Sequence, residues 1–250
     1  MIRVIIALVV SMAVVLVIPS SSSATPIVTM LKIATMGDSL TYGYGSSADG
    51  YRTELGQRLA AVGVTPTWVG PTHGYNGGTV QSMITGMDNG WATELTTADP
   101  DVIILGVGTH NAAGDPPGMT GFQTAYQTLL TKLHAAATRA KILTARLTYS
   151  SISWSPNEVT VNMYVILTNW ASPWATYTYQ VAWDVIPPCG YLYNAAGDSG
   201  VHPRDAGYGW MAREAYRTLQ LLYTLPDIPT DAYTDPITRR PGIERAVIGC

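Results

Sequence analysis

The chain is poor in charge. Only 12 % of its 250 residues are Asp, Glu, Lys or Arg, while 47 % are hydrophobic, a balance that excludes a disordered, charge-rich segment. Its 14 Lys+Arg within a net charge of −3 leave no cationic surplus to neutralise phosphates, so no nucleic-acid partner is expected. Cysteine is almost missing. Cys189 and Cys250 are the two present, at a spacing that suits neither a zinc site nor a disulfide framework. In an oxidising compartment they could form one bridge from the C-terminal tail to the loop before His202; two free thiols are the alternative. The four histidines are scattered at 73, 110, 134 and 202, so no metal is expected. No Gly-x-Gly-x-x-Gly or phosphate loop follows the first strand, and no cofactor is expected. Internal repeats are absent.

What is present begins with a leader. Met1-Ile2-Arg3 gives a positive start, Val4 to Ile18 is a nearly unbroken apolar run, and Pro19 to Ala24 supplies small residues. That order is the pattern of a secretory signal peptide cut after Ala24, and the run is shorter than the ~20 residues of a spanning helix. The division expected is signal peptide 1–24, one catalytic-sized domain 25–224, and a Pro-, Thr- and Asp-rich tail 225–250. The mature protein should be secreted, with no stable membrane association after signal cleavage. Its oligomeric state is not legible.

Past the leader, strand-length apolar runs alternate with stretches of helical period. Leu31–Met36, Thr67–Val69, Val102–Val107, Lys141–Leu147 and Val181–Val185 read as strands. Tyr51, Leu55, Leu59 and Val62 fall on one helical stripe ended by Gly63. Phe122, Tyr126, Leu129, Leu130 and Leu133 mark a longer helix, and Tyr208, Met211, Ala212, Ala215, Leu219 and Leu222 a third. Buried strands separated by amphipathic helices imply a parallel sheet covered on both faces, with ligands beyond the carboxyl ends of its strands. Reactive groups are then expected just after Met36, Val107 and Val185. The residues there are Asp38-Ser39, His110-Asn111 and the segment leading to His202.

Ser39 lies in Gly37-Asp38-Ser39-Leu40, at the turn after the first strand, where its hydroxyl would face the crevice. Alone this is a weak signal, since Asp and Ser also serve as ordinary helix caps. A serine nucleophile needs a base, and His202, in a loop before the last helix, can return an imidazole to the same sheet edge. Otherwise it is a surface loop histidine.

These two segments, with His202-Pro203-Arg204-Asp205-Ala206-Gly207-Tyr208 as the second, resemble the first and last blocks of the SGNH/GDSL hydrolases. Gly50-Tyr51-Arg52, Trp68-Val69-Gly70 and Gly74-Tyr75-Asn76-Gly77 are similar to words of the carbohydrate acetylesterase branch, acetyl xylan esterases above all. The resemblance spans about Leu31 to Leu222. It implies a three-layer α/β/α fold, flavodoxin-like, around a five-stranded parallel sheet, and ester hydrolysis through a covalent acyl-enzyme on Ser39. It further implies an oxyanion hole from the Ser39 N–H, the Gly77 N–H and a third side chain.

Two departures from the family pattern stand out. The family's Gly-x-Asn-Asp stretch reads Gly108-Thr109-His110-Asn111 here, so either Asn111 reaches the site through a longer loop or His110 itself donates. Asn111 is the favoured third donor on this reading. The family aspartate three residues before the histidine is replaced by Ser199, with Asp198 one residue earlier as the expected orienter of His202. The expected substrate is a small acyl ester, an acetyl ester on a polysaccharide being the reading by analogy. The 7 Trp and 15 Tyr against 1 Phe suit a sugar-facing rim, although Trp154, Trp170 and Trp174 read equally as core or helix-packing residues. The alternatives are a lipase or arylesterase on the same fold, or a degenerate domain that binds a glycan without turnover.

Overall fold

The computed structural model describes residues 28–70, 72–148, 156–185 and 201–228. Calls on the leader, on Asp198 and Ser199, on both cysteines, on Trp154 and on most of the tail lie outside these residues.

Five sheet positions run in the order β2-β1-β4-β5-β6, all pairs parallel. The strands are β1 (Met30–Gly37), β2 (Thr65–Trp68), β3 (His73–Gly74), β4 (Val102–Gly106), β5 (Lys141–Ala145) and β6 (Thr178–Val181). β2 and β3 share one edge of β1: β2 pairs with residues 30–33 and the short β3 with Met36 and Gly37. The continuous apolar runs in the central strands are explained by two cores rather than one. Leu31, Ile33, Val102, Ile104, Leu143 and Ala145 face one core. Ala34, Met36, Ile103, Leu105 and Ile142 face the other, as the period of two requires.

The first core is closed by α2 (Tyr51–Ala61) and α8 (Asp205–Leu222), which bury Tyr51, Leu55 and Leu59 against Tyr208, Met211, Ala215 and Leu219. The second is closed by α3 (Val80–Gly86), α6 (Gly118–Ala136) and α7 (Pro156–Trp170); the shorter α4 (Ala92–Ala98) follows a π-helical turn, Met87–Trp91. This is the expected three-layer α/β/α sandwich. Leu225 and Ile228 also pack on the first core, so the first residues after 224 belong to the domain's surface.

Three details differ from the sequence reading. The last strand is Thr178–Val181 rather than 181–185. An edge strand tolerates polar Thr178 and Gln180, whereas Trp183 is buried in a 3-10 turn, Trp183–Val185, donating its indole N–H to the Met211 carbonyl at 3.1 Å. Helix α7 is hidden in the sequence because buried polar side chains interrupt its apolar stripe. Asn162 accepts from the Leu147 N–H at 2.6 Å and donates to its carbonyl at 3.2 Å; Asn169 bonds Thr144. Trp170 is 75 % exposed and is no core residue, while Trp174 packs partly buried against the second core.

Candidate active site

The carboxyl end of β1 meets that of β4 at an unusually close approach. Gly37 pairs with Gly106, and a Cβ on Gly37 would lie 2.0 Å from the Gly106 carbonyl oxygen. A Cβ on Gly106 would strike the Trp183 ring at 2.5 Å. Glycine at both positions lets the chain leave β1 tightly, with the Asp38 N–H bonded to Gly106 O at 3.0 Å. The next residue is Ser39, which opens the short helix α1 (Ser39–Tyr42). Its N–H belongs to a first helical turn, which offers no intrahelical acceptor.

Asp38 is the N-cap of that helix. It is fully buried, accepting from Leu40 N–H at 3.0 Å through one oxygen and from Thr109 N–H at 3.2 Å through the other. Burial pushes its carboxyl above the usual carboxylate range, an effect the Leu40 and Thr109 donors oppose. One carboxylate thus joins the β1 turn to α5 (Thr109–Ala112), which follows β4.

His202 arrives from the loop just ahead of α8, and its Nε2 lies 2.7 Å from Ser39 Oγ. This pair is separated by 163 residues in the chain and joined at the sheet edge. The Tyr44 ring flanks the imidazole, with centroids 4.5 Å apart and planes at 47°. Asp198, the expected orienter, lies outside the described residues.

The Gly77 loop packs directly on the Gly37–Ser39 turn. Gly78 packs so closely that a Cβ there would be 3.0 Å from Asp38 Cα, and Tyr75 N–H reaches Gly37 O at 3.4 Å. Gly77 adopts φ 75°, a left-handed conformation suited to glycine. Its vacant Cβ position is 4.0 Å from His110 Cε1, so His110 lines the same corner. The ring's other side is engaged: Nδ1 is 2.9 Å from Asp115 Oδ2.

Asn111 does not share that corner's chemistry. It is fully buried, its Oδ1 accepts from Val80 N–H at 3.0 Å, and its Nδ2 donates to Pro116 O at 3.0 Å. Both ends of the amide are spent on holding α3 and the 115–116 loop. The expectation that Asn111 supplies the third oxyanion donor meets a side chain whose oxygen and nitrogen both have protein partners. The structure therefore brings together Ser39, His202, Gly77 and His110, and sets Asn111 behind them as a brace.

Sequence reasoning missed three groups at this edge. Asp115, five residues after His110, carries no motif of its own. Tyr42 and Tyr44 are signalled only by two aromatics in a glycine-rich turn. Arg146 and Asp184, which follow β5 and β6, pair at 2.8 Å with both side chains mostly buried. No described helix is long and apolar enough to cross a membrane.

The profile of the GDSL-like lipase/acylhydrolase family matches residues 35–210, more than half of the chain. The chain belongs to that family. It is accordingly a carboxylic ester hydrolase. No curated protein matches it. Among solved structures, a family 3 carbohydrate esterase from Clostridium thermocellum is 22 % identical, with a TM-score of 0.63 over 77 % of this chain and 97 % of its own. A family 3 carbohydrate esterase from Talaromyces cellulolyticus is 16 % identical, with a TM-score of 0.63 over 79 % and 100 %. An acetylxylan esterase from Geobacillus stearothermophilus is 17 % identical, at 0.58 over 77 % and 95 %. At these identities the likeness carries the SGNH hydrolase fold and nothing finer.

Proposed function

We propose that this esterase cleaves small acyl esters, acetyl esters of a polysaccharide in particular, through an acyl-enzyme on Ser39. The observation that carries the reading is the 2.7 Å contact between His202 Nε2 and Ser39 Oγ. That distance lies within the reach a general base needs to take the hydroxyl proton. Ser39 Oγ attacks the ester carbonyl and forms the C–O bond as its proton passes to His202. The carbonyl π pair moves onto oxygen, then returns as the ester C–O bond breaks, and His202 protonates the leaving alcohol. Water, deprotonated by the same imidazole, releases the carboxylic acid and restores Ser39.

The oxyanion is held by the N–H groups of Ser39 and Gly77 and, on this reading, by His110 rather than Asn111. A carboxylate can only accept, so Asp115 fixes the proton of His110 on Nδ1. A ring with N–H on both nitrogens is the form that can serve Asp115 and the oxyanion together. Asp198 orients His202 in this scheme. The acetyl and polysaccharide specificity draws on the names of the similar solved structures, and export of the chain on its leader.

The test is acetate release from p-nitrophenyl acetate and acetylated xylan by the wild type beside Ser39→Ala. Loss of roughly 10⁴-fold or more of turnover in the variant is expected. Equal nitrophenol release by the two proteins would falsify the nucleophile, and glycan binding without Ser39-dependent turnover would favour the binding-only alternative.

A further inference from the structure

A cleft of about 430 Å³ opens along the loop that follows Ser39, walled by Tyr42, Tyr44, Asp49, Arg52, Thr72 and Gly74. Tyr44 links it to the Ser39–His202 pair, since its ring contacts the imidazole and also lines the cleft. Another cavity, of about 410 Å³, lies between α4 and the C-terminal end of α6, with neither Ser39 nor His202 in its lining.

The cleft's aromatic wall faces solvent. Tyr42 is 55 % and Tyr44 42 % exposed, although both lie within five residues of the nucleophile. Their loop is nonetheless firmly built. Tyr44 N–H donates to Ser39 O at 3.0 Å, and Tyr44 O accepts from the Tyr208 hydroxyl at 2.8 Å. Gly43 turns at φ 88° against Gly50, where a Cβ would come 2.7 Å from the Gly50 nitrogen. Beyond it, Asp205 accepts from Ser46 Oγ, Ser47 N–H and Ser47 Oγ at 3.0, 2.9 and 2.7 Å. The backbone that carries the two exposed rings is therefore fixed, which lowers the ordering cost of binding a ligand against them. Below them, buried Arg52 donates through Nη1 to Thr41 O, and Asp49 stands 3.8 Å from Nη2 with its side chain 78 % exposed.

Flat apolar faces above an exposed carboxylate and an arginine fit a ring that is apolar on its faces and hydroxylated on its rim. We infer that this cleft is the subsite for a pyranose ring of the leaving alcohol, stacked on Tyr42 and Tyr44 with its hydroxyls donating to Asp49. The side follows from the chemistry: the alcohol oxygen must be within reach of His202 to be protonated, and Tyr44 adjoins that imidazole. The acyl group then lies on the Gly77–His110 side. The assignment rests on the esterase reading for its direction, though not for the binding itself.

Two arms test it on the full chain. In the first, kcat/KM is measured for a mono-O-acetyl methyl xylopyranoside, whose other two ring hydroxyls are free, and for ethyl acetate, whose alcohol is too small to reach the tyrosines. The ratio of the two should fall about tenfold in Tyr42→Ala and in Asp49→Ala, mainly through KM. In the second, Ser39→Ala is titrated with xylotriose by calorimetry, and Tyr42→Ala in that background should weaken binding by a similar factor. An unchanged ratio together with unchanged xylotriose affinity overturns the subsite. So does a ratio that holds while preference between ethyl acetate and ethyl butyrate shifts, because the cleft would then hold the acyl chain. Absence of Ser39-dependent ethyl acetate hydrolysis in the wild type would instead remove the esterase mechanism, and the xylotriose arm would still decide the cleft. Circular dichroism on each variant separates loss of fold from loss of contact.

Discussion

At the residue scale, His110 and Asn111 are neighbours with different surroundings. His110 faces Gly77 with one side of its ring and Asp115 with the other, while Asn111 is buried and satisfied at both ends of its amide. His110→Ala should therefore lower kcat by roughly 10²–10³ without moving Tm, the usual cost of one oxyanion donor. Asn111→Ala should act on stability instead. Stranding the Val80 N–H costs about 1–3 kcal/mol, which lowers Tm by several degrees. The reverse pattern, a kcat loss in Asn111→Ala at unchanged Tm, would return the donor to Asn111. His110→Asn keeps a side-chain N–H donor at this position and should retain more kcat than His110→Ala; equal losses in the two variants would mean that His110 is not the donor.

At the element scale, the site depends on how closely β1 and β4 approach and on what α8 brings with it. Gly37→Ala forces a Cβ into the Gly106 carbonyl, and no side-chain rotation relieves a backbone clash. The expected cost is roughly 3 kcal/mol or more, read as a lower denaturation midpoint, together with lost activity because Ser39 follows two residues later. A Gly37→Ala protein with wild-type stability would show that the turn has more slack than the 2.0 Å distance allows. Helix α8 couples two parts of the site, since His202 precedes it and Asp205 in its first turn holds Ser46 and Ser47. Burial alone would raise the Asp205 carboxyl, but the Ser47 hydroxyl, Ser47 N–H and Ser46 hydroxyl outweigh it and hold it below the usual carboxylate range. A depressed folded value means stability that is present above the unfolded carboxyl's value of about 3.9 and lost as pH falls through the folded one. Asp205→Asn should lower Tm at pH 7, and the gap to wild type should close as pH drops below ~4. A gap that persists at acid pH would locate its cause in packing.

At the scale of the whole molecule, four chain segments far apart in sequence, at Ser39, Gly77, His110 and His202, converge at one sheet edge. The parallel order β2-β1-β4-β5 puts the ends of β1 and β4 side by side, and Asp38 ties them through Leu40 and Thr109. The proposed export of the chain has its own test. A protein recovered from culture medium should have a mass that begins at Thr25, as cleavage after Ala24 requires. Recovery of the chain only with its first 24 residues attached to membrane would replace secretion with anchoring.

Much of this protein is written locally. The strands β1, β4 and β5 and the helices α2, α6 and α8 are legible because an apolar stripe at a period of two or 3.6 has few other ways to be buried. Ser39 and His202 are legible for a related reason, as each follows or precedes a strongly patterned element in a short motif. Other features are settled by contacts between distant residues. Helix α7 is hidden by Asn162 and Asn169, whose polarity makes sense only against Leu147 and Thr144. That His110 faces Gly77 while Asn111 bonds Val80 is likewise settled by tertiary contacts. Adjacent residues on one helical turn point some 100° apart, so only the placement of that turn against its neighbours decides which enters the site. The tyrosine cleft is of the same kind, since Tyr42 and Tyr44 become a wall through Tyr208 and Asp205, more than 150 residues further along the chain.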